Sequence, residues 1–155
     1  MRHLHFSGEN CIGEANSVPI YECFLKALED YTHDRRGDIG AWVREAAMSG
    51  LAALTLTMAS EDPKLVPQVC IEAMMPKIAQ QACEKIDRTR GHAAHIFASL
   101  LTSEVPHIPR KAEILAFFPE RIRSKGKCHL FLCHWMILNS VIFRLFSDHF
   151  QIIFS

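Results

Sequence analysis

Between residues 17 and 119 the apolar positions recur at steps of three and four, the spacing that lines one side of an α-helix. The pattern predicts four helices. The first follows Ser17 as N-cap, with Pro19 just inside, where a missing N–H costs little, and it aligns Ile20, Phe24, Leu25 and Leu28. It ends before Thr32-His33-Asp34-Arg35-Arg36-Gly37. The second starts near Asp38 with Val43, Ala47, Leu51, Leu54 and Met58 as its stripe. Ala41, Ala46, Ala52 and Ala53 raise its helix propensity and leave room for a close neighbour. The third begins after Asp62-Pro63 or at Pro67 and runs to about Lys85. Cys70, Met74, Ile78 and Ala82 face inward, and Pro76 predicts a kink. The fourth runs from about Ile86 to Thr102 on Ala93, Ile96, Phe97 and Leu100. No segment alternates with period two, so the zone is expected to be all helical.

The helices repeat. Displaced by 46 residues, Arg44 falls on Arg90, Ala47 on Ala93, Leu51 on Phe97, Ala52 on Ala98 and Leu54 on Leu100. Asp38 precedes Arg44, and Glu84 precedes Arg90, by the same six residues. Helix pairs with a period of about 40–47 residues mark HEAT and armadillo arrays. The acid–arginine spacing resembles the HEAT consensus, in which such pairs form ladders between neighbouring repeats. Asp38, Arg44, Glu84 and Arg90 are therefore read as structural ladder residues. The consensus proline, eight residues before the acid, is matched by Pro76 in the second unit, whereas the first unit has Asp30 there. The fold class read from the sequence is an all-α, HEAT/armadillo-like α-solenoid fragment of about two helix-pair repeats plus a C-terminal apolar helix.

The same geometry bears on Arg36-Gly37-Asp38, which in a secreted protein would suggest adhesion. Asp38 can accept from the free N–H groups of the second helix, and Gly37 supplies a tight turn before it. A helix entry is the favoured reading. Trp42 is read first as inter-helix packing and, if exposed, as an anchor for a partner.

Composition adds limits. The chain has 155 residues, with 49% hydrophobic and 22% charged, enough apolar content for one globular domain. Lysine plus arginine equals aspartate plus glutamate at 17 each, so no basic surplus points to nucleic acid. The first residues lack the continuous apolar core of a signal peptide, and a cytoplasmic, cytoskeleton-associated location is expected. Residues 1–16 read as a loose lead-in, 17–120 as the helical repeats and 121–155 as a divergent apolar tail. The stretch Leu130–Phe146 is interrupted by His134, Asn139, Ser140 and Arg144 and is shorter than the ~20 apolar residues of a span. A helix covering the open end of the solenoid, on Leu132, Met136, Ile137, Val141 and Leu145, is favoured over a membrane anchor.

Site chemistry is sparse. Cys128-His-Leu-Phe-Leu-Cys-His134 bunches thiols with imidazoles but lacks a second ligand pair, so free thiols are favoured over zinc. His92 and His95 could share a metal, but flanking a helix interface suits them better. Gly8 and Gly13 have the glycine spacing of a phosphate loop, yet Glu14-Ala15 replaces its Lys-Ser/Thr. No catalytic set, cofactor site or metal site is expected, and the chain reads as a non-enzyme.

Three stretches are more specific. YECFLKALEDYT (Tyr21–Thr32), RRGDIGAWVREAAM (Arg35–Met48) and IAQQACEKIDRTRGHAA (Ile78–Ala94) resemble the tubulin-folding cofactor D family. The resemblance covers roughly residues 20–120 and fades after about Arg121. It implies a slice from the carboxy-terminal half of a much longer HEAT-repeat protein. It also implies β-tubulin, other tubulin-folding cofactors and an Arf-like small GTPase as partners, with stimulation of tubulin GTP hydrolysis in the joint complex. The alternatives are a truncated, non-functional isoform and a membrane-tail-anchored adaptor. Candidate partner contacts, chosen for position and chemistry, are Asp34, Arg35, Arg36, Trp42, Lys85, Arg88 and Arg90. Their arginines suit an acidic surface such as that of tubulin.

Overall fold

A computed structural model describes residues 14–116 of the chain. In order, the elements are α1 (Glu14–Ala27), β1 (His33–Asp34), β2 (Gly37–Asp38), α2 (Gly40–Glu61), a 3₁₀ turn (Pro63–Leu65), α3 (Gln68–Gln81), α4 (Asp87–Thr102) and α5 (Lys111–Ala116). The strands form one two-residue antiparallel pair, His33 opposite Asp38 and Asp34 opposite Gly37, inside the α1–α2 connection. The architecture is all-α, as the periodicity predicts.

Side-chain pairings fix how the helices run. Tyr21 meets Thr55 and Asp30 meets Arg44, so α1 and α2 are antiparallel. Glu45 meets Arg88 and Ser49 meets His92, so α2 and α4 run the same way. Glu29 pairs with Lys77 across α1 and α3, while Leu28 O accepts from Gln81 near the same end. Two antiparallel pairs therefore stack with first helix on first helix and second on second, the arrangement of consecutive α-solenoid units.

One apolar seam joins all four long helices. Leu51, Met74, Ile78, Phe97 and Leu100 are fully enclosed, and each such side chain contributes about 1.5–3 kcal/mol by leaving water. The α3 stripe of Cys70, Met74, Ile78 and Ala82 and the α4 stripe of Ala93, Ile96, Phe97 and Leu100 are buried as expected. Leu54 packs against the core from a half-buried position.

Other expectations need correction. Ser17 is not an N-cap: α1 begins at Glu14, and Ser17 is a buried helical residue. Pro19 consequently lies inside the helix, where it removes one backbone bond near the start. Tyr21, absent from the predicted stripe, is the buried centre of α1, whereas Ile20, Phe24 and Leu25 flank it. On α2, Val43 faces outward, and Arg44 occupies the inward position beside it. The third helix stops at Gln81 rather than Lys85, because Ala82–Ile86 must turn the chain back into α4. A fifth helix, unpredicted, seats Ile114 in the core. The tail beyond residue 116 lies outside the described residues, as do the expected capping helix and the CHLFLCH cluster.

Tyr21 also gives a test of the α1–α2 seam. Its hydroxyl lies 2.7 Å from Thr55 Oγ1, and Thr55 in turn donates weakly to Met74 Sδ at 3.7 Å. Tyr21→Phe keeps the ring and strands a buried threonine hydroxyl with only sulfur as partner. The expected loss is about 1–2 kcal/mol, read as a lower urea midpoint at unchanged slope.

Candidate functional site

The two inter-helix turns lie side by side along one edge; Asp34, Arg35, Arg36 and Lys85 sit on them, while Trp42 lies at the head of α2 and Arg88 and Arg90 in the first turn of α4. The first turn is a hairpin rather than a simple helix entry. Asp34 Oδ1 accepts from Arg36 N at 2.7 Å, closing a side-chain turn around Arg35, and Asp34 Oδ2 accepts from the Arg36 guanidinium at 2.6 Å. Gly37 follows at φ +109°, a left-handed conformation that disfavours any other residue. Asp38 then accepts from Ala41 N at 3.0 Å and so satisfies a free donor at the start of α2, the capping role read from the sequence.

Behind this hairpin sits Arg44, fully buried near the start of α2. Its Nη2 donates to Asp38 Oδ2 at 2.8 Å, its Nη1 to Asp38 Oδ1 at 3.2 Å and to the Asp30 carbonyl at 2.5 Å. Its Nε donates to Gln81 Oε1 of the second unit at 2.9 Å. The guanidinium lies over the Tyr31 ring, 4.1 Å from its centroid. Burial alone would push the Arg44 pKa down, but the Asp38 carboxylate, with Tyr31 and Glu84, outweighs it and the net shift is upward. Reciprocally, the hydrogen bonds from Arg44 hold the Asp38 carboxyl below its ordinary value despite partial desolvation. Asp38 and Arg44 pair within the first unit, and Gln81 of the second unit accepts from the same guanidinium. Among the described residues no buried side-chain nitrogen or oxygen lacks a hydrogen-bond partner.

The second unit departs from the first. Arg90 does not pair with the Glu84 carboxylate. It donates to the Glu84 carbonyl at 2.9 Å and pairs with the Asp87 carboxylate. Glu84 Oε1 instead accepts from Tyr31 Oη at 2.6 Å, and Gln81 Nε2 donates to the same hydroxyl at 3.1 Å. Tyr31 therefore ties the first turn to the second. Arg88 donates from α4 to Glu45 on α2 at 3.0 Å, and Thr89 shares that carboxylate at 2.6 Å.

What remains presented to solvent is narrower than the residue types suggest. Trp42 is 53% exposed, with the Arg36 guanidinium 5.8 Å from its ring centroid. Arg35 and Lys85 are exposed on the two turns. Asp34, Arg36, Arg88 and Arg90 are all committed to ion pairs within the chain. The edge presents an exposed aromatic with a mixed-charge rim rather than a strongly basic patch.

The Asp38 pair makes the fold acid-sensitive with a definite sign. A carboxyl whose folded pKa is depressed contributes stability that is complete above its unfolded value, about 3.9, and is lost as pH falls through the folded value. Arg44 stays protonated throughout, so Asp38→Asn should flatten the acid limb of stability against pH while leaving the neutral limb level. Circular dichroism melts between pH 2 and 7 read both.

Other chemistry is limited. Among the described residues no group of three or more histidine, cysteine or acidic side chains is placed to hold a metal. His92 lies in the α2–α4 seam, its Nε2 2.9 Å from Ser49 Oγ, while His95 is exposed. No helix among the described residues is long and apolar enough to cross a membrane.

Comparison with known proteins places this geometry in context. The family model described as "Tubulin folding cofactor D C terminal" matches residues 72–144. That match takes in Lys85, Arg88 and Arg90, excludes the Asp34–Trp42 segment, and continues past Arg121, where the sequence reading has the resemblance fading. Tubulin-specific chaperone D of Dictyostelium discoideum is 32% identical over 117 residues, covering 63% of this chain and 8% of the relative. Tubulin-folding cofactor D of Schizosaccharomyces pombe is 32% identical over 100 residues, covering 64% of this chain and 9% of the relative. This chain thus spans less than a tenth of the length of these curated relatives. No solved structure matches it. The resemblance drawn from the residues stands: the chain is similar, over nearly two thirds of its length, to one segment of tubulin-folding cofactor D, and residues 72–144 match that family's C-terminal region.

Proposed function

We propose that this chain is a tubulin-folding module, a protein-binding solenoid segment that engages β-tubulin during assembly and disassembly of the tubulin heterodimer. Its sequence relation to tubulin-specific chaperone D carries the reading. The finer features follow the same relation: other folding cofactors and an Arf-like small GTPase as partners, GTPase-activator activity within their joint complex, and a cytoplasmic, cytoskeleton-associated setting. The chain contributes a docking surface rather than a reaction centre.

The turn edge is the proposed contact. Trp42 offers a large, half-exposed aromatic at the head of α2, and such residues supply a disproportionate share of binding energy at interfaces. Arg35 and Lys85 are exposed on the two turns, where they can steer and register an acidic partner. In pull-down with purified β-tubulin, Trp42→Ala should weaken binding about 30-fold or more, the effect of losing a 2 kcal/mol anchor. Arg35→Glu with Arg36→Glu should weaken it further and remove most of its salt dependence. Equal capture by the parent chain and both variants would exclude this edge. No capture by the parent chain would count against the function itself.

A further inference from the structure

We propose that Tyr31 is a phosphorylation site whose modification unpins the two helix pairs from each other. The chain has two tyrosines, and the fold treats them oppositely. Tyr21 is fully enclosed between α1 and α2. Tyr31 is 43% exposed, lies between α1 and β1, and opens a stretch, Tyr31–Gly37, in which every residue is exposed. A segment of that kind can be drawn into a kinase cleft in extended form without dismantling the core. Glu29 and Asp30 precede it and give a basic cleft something to grip.

The hydroxyl is also where a phosphate would matter most. Tyr31 Oη donates to Glu84 Oε1 at 2.6 Å and accepts from Gln81 Nε2 at 3.1 Å, both in the second unit. A kinase would transfer the γ-phosphoryl group of ATP to Oη. The new P–O bond replaces the one to the departing ADP, and the phenolic proton passes to the kinase's base. The product carries a charge of about −1.5 to −2 where the donor to Glu84 had been. Two anions would then face each other at hydrogen-bond range. Arg44 stands over the ring at 4.1 Å, but four of its five N–H groups already donate to Asp38, Asp30 and Gln81. Turning it toward the phosphate would uncover the Asp38 carboxylate. Repulsion from Glu84 therefore decides the outcome, and the ring leaves its seat between the turns.

The test uses the full chain, magnesium-ATP and two tyrosine kinases of different sequence preference. Intact mass and peptide mapping should show one phosphate on Tyr31 and none on Tyr21. The phosphorylated chain should melt about 5–10 °C lower than the parent, with faster amide exchange across residues 82–86. Tyr31→Phe should take up no phosphate and melt at an intermediate temperature, since it loses the hydroxyl bonds without gaining charge. Failure of both kinases to modify the folded chain would overturn the proposal. So would phosphate on Tyr21, or full modification of Tyr31 with melting and exchange unchanged. These readouts need no tubulin, so they stand or fall separately from the proposed function.

Discussion

Replacing Arg44 with methionine should lower the unfolding free energy by about 3–5 kcal/mol, the range found when one member of a buried ion pair is removed. Methionine keeps the length and apolar stem of arginine, so little cavity forms and the loss is nearly all electrostatic and hydrogen-bonded. The Asp38 carboxylate, only 13% exposed, would be left without its cation. The Asp30 carbonyl and Gln81 Oε1 would each lose a donor. An unsatisfied buried group costs about 1–3 kcal/mol, but these losses will not add in full because water can follow the loosened hairpin inward. Domains are held by only about 5–15 kcal/mol, so a change of this size is a large share of the margin. Lysine at the same position should restore only part. It supplies the charge for Asp38 but lacks the planar fork that meets Asp38, Asp30 and Gln81 together. Urea denaturation of the three chains measures the order. A methionine variant within 1 kcal/mol of the parent would mean that Arg44 is not the link between the units.

Arg44 also shows how far the sequence could be read. The 46-residue repeat singled it out with Asp38, and that pair is present. The same repeat paired Glu84 with Arg90, which the structure does not do through the carboxylate. The two units are not equivalent at this point, because the first offers Tyr31 to Glu84 across the boundary. Pairwise spacing within one unit cannot show a partner that arrives from the neighbour. A different limit applied to α2. From Ala46 to Ser60 the helix has no charged residue, so the apolar pattern has little contrast with which to choose a face. The predicted stripe placed Val43 inward, whereas the buried positions include Arg44 and Thr55, polar residues that a hydrophobic count discards. On α3 and α4 charged and polar residues do alternate with the apolar ones, and there the stripes were legible residue by residue. The end of α3 was not, since Gln81-Ala82-Cys83-Glu84-Lys85 contains neither glycine nor proline and carries no stop signal. At the edge, residue type located the turns but overstated their basic character. Asp34, Glu45 and Asp87 neutralise Arg36, Arg88 and Arg90, two of them within three residues in sequence and one only through tertiary packing.

The second large effect is expected at Gly40, the first residue of α2. A Cβ built there would lie 2.3 Å from the Asp30 carbonyl oxygen and 2.7 Å from its carbon, far inside contact distance and against backbone that cannot rotate away. Gly40→Ala gains up to about 1 kcal/mol in helix propensity, less at a first position than in an interior. Overpacking of a tight contact typically costs about 1–3 kcal/mol and occasionally more. The clash should win, because relieving it means moving Asp30, and Asp30 is held by Arg44 Nη1 at 2.5 Å. The absence of a side chain at Gly40 thus allows the α1–α2 connection to approach closely enough for Arg44 to clamp its carbonyl. A net loss of about 2–3 kcal/mol is expected, and it should not add to that of Arg44→Met. Once the clamp is gone the Asp30 segment can retreat, so the double variant should be less destabilised than the sum by at least 1 kcal/mol. Strict additivity in a double-mutant cycle would show that the glycine contact and the arginine clamp are independent, and that the first turn is held to the stack by something other than this pair.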